Sequence, residues 1–201
     1  MKDVAIGIDI GGTYSKLGIV DSFGNCLKES SISTKDHLEF ESFFEAVVAE
    51  IEHLKKPLED MLTLKGIGIG APNANYYTGT IENAPNLNWK GIVHIAEKFR
   101  KHYNLPVVVT NDANAAAIGE KVYGAAKDLN DFLVVTLGTG LGSGFVANGK
   151  LIYGFQGFAG ENDEVFVSMR WPVTTPFLWN TAGDVPQAEM DSVNSDSTAY
   201  M

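Results

Sequence analysis

The stretch VAIGIDIGGTYSKLGIV, residues 4–20, decides how this chain folds. Two apolar runs flank a turn at Gly11, Gly12 and Thr13, and Asp9 stands near the end of the first run. Glycines in the turn permit a positive φ and leave no Cβ in the way, so backbone N–H groups can surround an anion, and Thr13 adds a hydroxyl donor. Asp9 is placed to hold a hydrated Mg²⁺ that carries phosphates. Taken alone, the segment favours an ordinary hairpin with a Gly-Gly turn, because short glycine-rich motifs often match by chance.

The same pattern returns at residues 132–146, which read FLVVTLGTGLGSGFV. An apolar run, a glycine-threonine turn and a second apolar run follow one another again. Alignment of the two copies places Gly11 against Gly138 and Gly12 against Thr139. Two strand–turn–strand units indicate two similar lobes that face each other across a phosphate, whereas a single hairpin needs no second copy.

Length and composition are those of a soluble enzyme. The 201 residues, 45% of them hydrophobic, suffice for one large domain or two small ones. A formal net charge of −10 without a basic cluster makes nucleic acid and anionic membranes poor partners. The single cysteine, Cys26, excludes an internal disulfide. No signal segment or bilayer-spanning run is present, which favours a cytoplasmic location.

Hydrophobic periodicity predicts alternating strands and helices. Strands are predicted at residues 4–8, 16–20, 26–31, 64–70 and 106–110. Apolar residues at three- and four-residue spacing predict a core-packing helix over residues 39–55, and residues 92–103 are also amphipathic.

A long segment, residues 71–89, has little helical period and is rich in asparagine. Its aromatic residues indicate an ordered rather than a disordered loop. The amides of Asn73, Asn83, Asn86 and Asn88 suit a neutral polyhydroxyl ligand better than a phosphate or a metal. Turn formation is the more frequent role for any one of them.

Asn111 and Asp112 follow the last predicted strand of the first lobe and precede a helix of small residues, 113–124. Negative charge is stabilised near a helix N-terminus. From the residues alone, Asp112 is either the cap of that helix or a catalytic carboxylate.

Five motifs together resemble the ROK family. They are DIGGT at residues 9–13, GIGIGAPNANYYTGTIENAPNLNW at 66–89, NDANAAAIGE at 111–120, LGTGLGSG at 137–144 and GFAGE at 157–161. This family groups bacterial sugar kinases and related repressors within the actin-like ATPase superfamily, and the resemblance is strongest to its glucokinases. It implies an α/β fold of the RNase H-like, actin-like ATPase type, with a complete N-terminal lobe and an incomplete second lobe.

The resemblance also implies the chemistry, which is transfer of the γ-phosphoryl group of ATP to the 6-hydroxyl of glucose. It identifies Asp112 as the general base, and Asn86, Asn111 and Glu161 as further sugar contacts. Nucleotide and Mg²⁺ are then expected at Asp9, Gly11, Gly12, Thr13, Gly138, Thr139 and Gly140, with Asp9 as the Mg²⁺ ligand. A homodimer is compatible with the resemblance.

The resemblance stops after Glu161. In the family a histidine and a cysteine-rich zinc loop follow, whereas here no histidine follows His102 and no cysteine follows Cys26, so no zinc site of that type is expected. The chain therefore divides into an N-terminal lobe at 1–112, a connecting helix and first hairpin of the second lobe at 113–161, and an unrelated or frame-disrupted tail at 162–201.

Two other functions remain open. The first is a catalytically impaired kinase remnant that only binds sugar. The second is a ROK transcriptional repressor, which is disfavoured because the sequence opens directly on the first strand, with no room for a helix-turn-helix.

Overall fold

A computed structural model describes residues 1–58, 60–137 and 141–160. In chain order, the strands are β1 (Lys2–Ile10), β2 (Tyr14–Asp21), β3 (Cys26–Ser33), β4 (Leu62–Gly70), β5 (Ala74–Asn75), β6 (Thr80–Glu82), β7 (Ile92–Val93), β8 (Val107–Thr110), β9 (Phe132–Leu137), β10 (Leu141–Ala147) and β11 (Lys150–Leu151). The helices are α1 (Phe40–Lys55), α2 (Ile95–Tyr103) and α3 (Asp112–Val122). The predicted α/β class is confirmed.

The main sheet has five strands in the order β3-β2-β1-β4-β8. The first three strands form the predicted antiparallel meander, while β4 and β8 run parallel to β1. Side chains alternate between the two faces of each strand, so Ile6, Ile8, Ile19 and Ile69 share one face and are at most 3% exposed. That face is the core of the molecule.

Helices α1 and α2 belong to this core. Helix α1 buries Phe43, Val47 and Ile51, as its predicted periodicity requires, and α2 buries Phe99. Each such side chain contributes about 1.5–3 kcal/mol when it is fully buried. The second helix begins later than the predicted stretch at residue 92, because β7 pairs with β6 before the helix starts. None of the described helices is long and apolar enough to cross a membrane.

The segment at residues 71–89 is more regular than the sequence predicts. Its strands β5 and β6 pair with each other, and β6 pairs with β7, in a small antiparallel sheet. Strands of two or three residues are too short to show alternation in the sequence. Trp89 packs against Phe40 and Phe43, with ring centroids 5.4 and 4.6 Å apart, which confirms that the segment is ordered.

A second meander repeats the topology of the first. Strands β9, β10 and β11 are antiparallel neighbours in that order, just as β1, β2 and β3 are. The turn between β9 and β10, residues 138–140, lies outside the described residues. The predicted repeat is therefore confirmed for the strands and for the way they pair.

Helix α3 packs closely on β10, where glycines of the strand face alanines of the helix. A Cβ added to Gly144 would lie 2.7 Å from the Ala117 Cβ and 2.8 Å from the Ala113 carbonyl oxygen. A Cβ added to Gly142 would lie 3.0 Å from the Ala113 Cβ. Glycines on the strand and alanines on the helix therefore fix the distance between the second meander and α3.

We expect Gly144→Ala to lower the free energy of unfolding by roughly 1–3 kcal/mol, because the added methyl group overlaps the backbone of α3. Urea unfolding followed by circular dichroism measures the change. The matched control is Gly68→Ala, whose Cβ would meet nothing within 4 Å. Equal losses in the two variants would contradict the close contact between α3 and β10.

Candidate functional site

A cavity of about 1160 Å³ lies on the face of the main sheet opposite the core. Small-molecule pockets commonly enclose about 300–1,000 Å³, so the cavity is large enough for a ligand of that class. Gly7, Gly18 and Gly68 line its floor and contribute no side chains there. The polar side chains that line it include Asp9, Lys16, Glu29, Thr110, Asp112 and Thr136.

The two predicted carboxylates, Asp9 and Asp112, meet in this cavity on either side of Gly70. Asp9 is the register partner of Gly70 across β1 and β4. A Cβ added to Gly70 would lie 3.7 Å from the Asp112 Cα. The carboxyl ends of the parallel strands β1, β4 and β8 meet at this edge of the sheet, which is where open α/β sheets bind ligands.

The two carboxylates influence each other electrostatically. Partial burial raises the pKa of Asp9, repulsion from Asp112 raises it further, and the charge of Lys16 acts in the opposite direction. Carboxylates whose pKa is perturbed in this way are typical of functional sites.

Asn111, and not Asp112, provides the main cap of α3. The Asn111 Oδ1 atom accepts hydrogen bonds from the backbone N–H groups of Ala113 at 2.7 Å and Asn114 at 3.2 Å. Asp112 is the first residue of the helix, one position earlier than predicted, and its Oδ1 atom also accepts from the Ala113 N–H at 2.8 Å. Its side chain remains exposed and lines the cavity.

The turn at Gly11, Gly12 and Thr13 differs from the sequence-based prediction in two respects, the φ angles of its glycines and the availability of the Gly11 amide. Neither glycine has a positive φ, so the turn does not need them for backbone freedom. Gly12 is needed for space, because a Cβ there would lie 2.6 Å from the Asn86 carbonyl oxygen. The Gly11 N–H donates to the Tyr14 carbonyl at 3.1 Å and is therefore not available to an anion.

The remaining amides of the turn belong to Gly12 and Thr13. Neither N–H makes a hydrogen bond within the described residues. These two amides are therefore the backbone donors of the first turn that are available to a ligand.

Three of the four asparagines in the segment at residues 71–89 have structural roles. Asn73 and Asn83 adopt left-handed backbone conformations, with φ of 50° and 51°. The Asn73 side chain donates to the Glu82 carbonyl at 3.1 Å, and the Asn83 Oδ1 accepts from the Gly91 N–H at 3.2 Å. Asn88 donates to two backbone carbonyls just before α1.

Asn86 differs from these three. Its side chain is exposed, and it makes no hydrogen bond with any described residue. Its backbone lies against Gly12. Among the four asparagines, Asn86 is the one that the structure leaves able to bind a ligand beside the phosphate turn.

The sequence did not predict a contact between the small sheet and the segment after β11. The Tyr76 and Tyr153 rings stack with their centroids 4.0 Å apart, and the Asn75 side chain donates to the Gln156 carbonyl at 3.0 Å. Asn75 is 81 residues away from Gln156 along the chain, so no local pattern could reveal the contact. Ser143 on β10 holds the end of the same segment by donating to the Gly160 carbonyl at 2.9 Å.

Several predictions fall beyond the described part of the chain. They concern Glu161 as a sugar contact, Gly138, Thr139 and Gly140 as nucleotide contacts, and the tail at residues 162–201. These assignments stay predictions.

The residues present fit a magnesium ion. Within the described residues, no group of three or more His, Cys, Asp or Glu side chains could hold a metal. Mg²⁺ does not need such a group, since it keeps several waters and binds through one or two carboxylates plus substrate phosphates. Asp9 and Asp112 supply such a pair, and a cation beside them would relieve the repulsion that raises the pKa of Asp9.

Comparison with known proteins connects this site to a family. The sequence profile of the ROK family matches residues 5–165. A glucokinase of Halalkalibacterium halodurans is 35% identical over 167 residues, which cover 81% of this chain and 49% of that protein. A xylose repressor of Caldicellulosiruptor bescii is 35% identical over 164 residues, which cover 80% of this chain and 41% of that protein.

A solved structure of a ROK family protein is also similar to this chain. The crystal structure of a ROK family glucokinase from Streptomyces griseus, in complex with glucose and AMPPNP, has a TM-score of 0.69 and 36% identity. The match covers 79% of this chain and 49% of that one. It confirms the predicted actin-like ATPase fold over the matched part. The chain spans about half the length of the glucokinases it matches.

We expect Asp9→Asn to raise the free energy of unfolding at pH 7. An acid whose pKa is raised by folding contributes stability below its ordinary pKa of 3.8, and that contribution is lost as the pH rises through the folded value. The amide carries no charge, so the variant avoids this loss, and its advantage should disappear as the pH approaches 3.8.

Urea unfolding at a series of pH values measures the effect. Asp3→Asn is the control, because Asp3 lies on the same strand but does not line the cavity. An Asp9→Asn variant that is no more stable than the wild type at pH 7 would show that the cavity does not disfavour the negative charge of the Asp9 carboxylate.

Proposed function

The chain belongs to the ROK family, and we propose that it forms the phosphoryl-transfer site of an ATP-dependent hexose kinase whose acceptor is glucose. One observation carries the proposal: Asp9 and Asp112 line one cavity, and the unpaired amides of Gly12 and Thr13 follow Asp9 closely in the turn after β1. The S. griseus relative, solved with glucose and AMPPNP, supports the choice of both ligands.

Asp112 is the proposed general base. The 6-hydroxyl oxygen of glucose attacks the γ-phosphorus of ATP, the bond from that phosphorus to the β–γ bridging oxygen breaks, and ADP leaves. The Asp112 carboxylate accepts the hydroxyl proton. Its position at the start of α3, exposed in the cavity, leaves its carboxylate accessible to the sugar.

The first turn is the proposed phosphate site. Catalysis of phosphoryl transfer depends mainly on holding the reacting groups in position and on neutralising the charge of the transferred phosphoryl group. The amides of Gly12 and Thr13 would donate hydrogen bonds to phosphate oxygens. Mg²⁺ held at Asp9 would supply further neutralisation of the phosphate charge.

Asn86 is the proposed sugar contact nearest to the phosphates. An amide both donates and accepts hydrogen bonds, as a sugar hydroxyl does, so one side chain can bind a hydroxyl in either direction. Asn111 positions Asp112, because its Oδ1 atom caps the helix on which Asp112 lies. Glu161 completes the proposed set of sugar contacts.

The pair of carboxylates favours a kinase over a sugar sensor. A protein that only binds sugar gains nothing from two carboxylates that repel each other beside an anion-binding turn. The similarity to xylose repressors nevertheless makes sugar binding without turnover the alternative outcome for the experiment.

We expect the purified chain to release ADP from Mg²⁺-ATP in a glucose-dependent manner, and Asp112→Asn to reduce this rate about 100-fold or more through loss of the base. A coupled assay for ADP measures the rate. The matched control is Asp128→Asn, because Asp128 is exposed and does not line the cavity. Glucose binding by calorimetry without any turnover would favour the sugar-binding remnant instead.

Asn86→Ala is expected to weaken glucose binding about 5-fold or more without changing stability, since a hydrogen bond contributes roughly 0.5–1.5 kcal/mol. Asn88→Ala should instead lower the free energy of unfolding, because it removes the bonds that hold the segment to the chain before α1. Calorimetry with glucose and urea unfolding separate the two effects. Weaker glucose binding in Asn88→Ala alone would mean that the wrong asparagine is assigned.

A further inference from the structure

The segment after β11, residues 152–160, contains only bends and turns, yet long-range contacts hold it at several points. Its backbone adopts a left-handed conformation at Gly154, Gly157 and Gly160, with φ of 73°, 88° and 93°. Glu161, the predicted sugar contact, is the next residue of the chain. The proposed function does not explain why this segment is held so closely against the small sheet.

Asn75 on β5 is the centre of that contact and is only 6% exposed. Its Nδ2 group donates to the Gln156 carbonyl at 3.0 Å and to the Glu82 Oε1 atom at 3.2 Å. Its Oδ1 atom accepts from the backbone N–H groups of Tyr77 at 3.0 Å and Thr78 at 3.4 Å. An amide side chain has two donor and two acceptor sites. All four are used here, so the orientation of the Asn75 side chain is fixed.

Three tyrosines hold the same segment at a second point. The Tyr76 and Tyr153 rings stack with centroids 4.0 Å apart and planes 13° from parallel. The Tyr77 hydroxyl donates to the Gly154 carbonyl at 3.1 Å. Tyr76 and Tyr77 are 40% and 61% exposed, so burial in the core does not account for their placement. We call Asn75, Tyr76, Tyr77 and Tyr153 the clamp.

The segment also fits closely against its neighbours on both sides. A Cβ added to Gly157 would lie 2.6 Å from the Asn75 Oδ1 atom. At the other end, Gly160 has no room for a Cβ beside the Ser143 carbonyl oxygen, and the Ser143 hydroxyl donates to the Gly160 carbonyl at 2.9 Å. The small sheet and β10 together therefore determine where the segment ends.

The small sheet also carries the other proposed sugar contact of this region. Asn86 lies between β6 and β7, and Glu82, which bonds Asn75, is the last residue of β6. The clamp thus connects the loop that presents Asn86 to the segment that precedes Glu161. Two groups that bind one small ligand must keep a fixed separation, which a contact of this kind provides.

We propose that the clamp is a positioning device for the sugar, which sets Glu161 relative to Asn86. The inference rests on the proposed function and adds positioning residues to it. None of the four clamp residues lines the cavity that contains Asp9 and Asp112, so they act through the segment that they hold. In the simpler alternative, the clamp stabilises the fold and has no influence on sugar affinity.

The experiment compares full-length Asn75→Asp, Tyr76→Ala and Tyr76→Phe with the wild type. Asn75→Asp keeps the shape of the side chain but places an oxygen opposite the Gln156 carbonyl, where the donor stood. Tyr76→Ala removes the stacked ring, and Tyr76→Phe keeps it. Each protein is titrated by calorimetry with glucose and with magnesium tripolyphosphate, and urea unfolding measures its stability.

Asn25→Ala is the matched control. The Asn25 side chain also makes structural hydrogen bonds, since it donates to both carboxylate oxygens of Asp21 in the turn between β2 and β3. It does not line the cavity and makes no bond to residues 152–160. The control therefore loses stability without any change to the clamp.

We expect Asn75→Asp and Tyr76→Ala to bind glucose roughly 10-fold or more weakly, because a small misplacement of a positioned group can cost about 100-fold. Tripolyphosphate affinity should be unchanged, since the clamp does not touch the phosphate turn. Tyr76→Phe should bind glucose as the wild type does. Asn25→Ala should unfold at lower urea and keep the glucose affinity of the wild type.

A double-mutant cycle with Glu161→Gln tests whether the clamp acts through Glu161. We expect the loss of glucose affinity in the Tyr76→Ala, Glu161→Gln double variant to be smaller than the combined losses of the two single variants. Residues that act through one another are non-additive in this way, whereas independent residues are additive. Additive losses would overturn the positioning role.

Glucose affinity that is unchanged in Asn75→Asp and Tyr76→Ala would overturn the clamp and leave the kinase proposal intact. An equal loss in Asn25→Ala would overturn it too, because the effect would then follow stability alone. A wild type that binds no glucose would overturn both proposals. Clamp-dependent glucose binding without ADP release would support the clamp and contradict the proposed kinase reaction.

Discussion

The close packing of α3 on β10 is the constraint on which the candidate site depends. Gly142 and Gly144 have no side chains, and Ala113 and Ala117 have only methyl groups, so helix and strand approach until no room is left for a Cβ at Gly144. The helix that begins at Asp112 is thereby fixed to the second meander at one side. At its other side it reaches the carboxyl end of β4 through Gly70. One short helix thus joins the two repeated units at the point where the carboxylates meet.

The site contains charges that the fold alone would not favour. Asp9 is partly buried near a second carboxylate, which raises its pKa and costs stability at neutral pH. The Gly12 and Thr13 amides have no partner among the described residues, and neither does the ammonium of Lys16. The proposed substrate, a magnesium-bound polyphosphate, would satisfy all of these groups together. This is the physical reason why the arrangement favours a highly charged ligand.

Much of this could be predicted from the sequence by itself. The apolar periodicity determined the helix α1, the strands of the main sheet and the buried face, since burial depends on spacing along one element. The repeated glycine-threonine turns indicated two related meanders. Asp9 and Asp112 were also identifiable, because each follows an apolar run that ends at a turn or a helix. These features are local, so the sequence carries them in full.

Only the tertiary structure decided how those residues are used. Gly12 is required because the backbone of Asn86, distant in the chain, lies against it, and not because of its φ angle. Hydrogen bonds seen only in the folded chain distinguished Asn86 from three asparagines with structural roles, and the geometry at the start of α3 gave the main capping role to Asn111. Lys16 gained its position only when pairing of β1 with β2 set it opposite Asp9. These decisions depend on contacts between different elements or on the backbone geometry at an element's end, and spacing along one element carries no record of either.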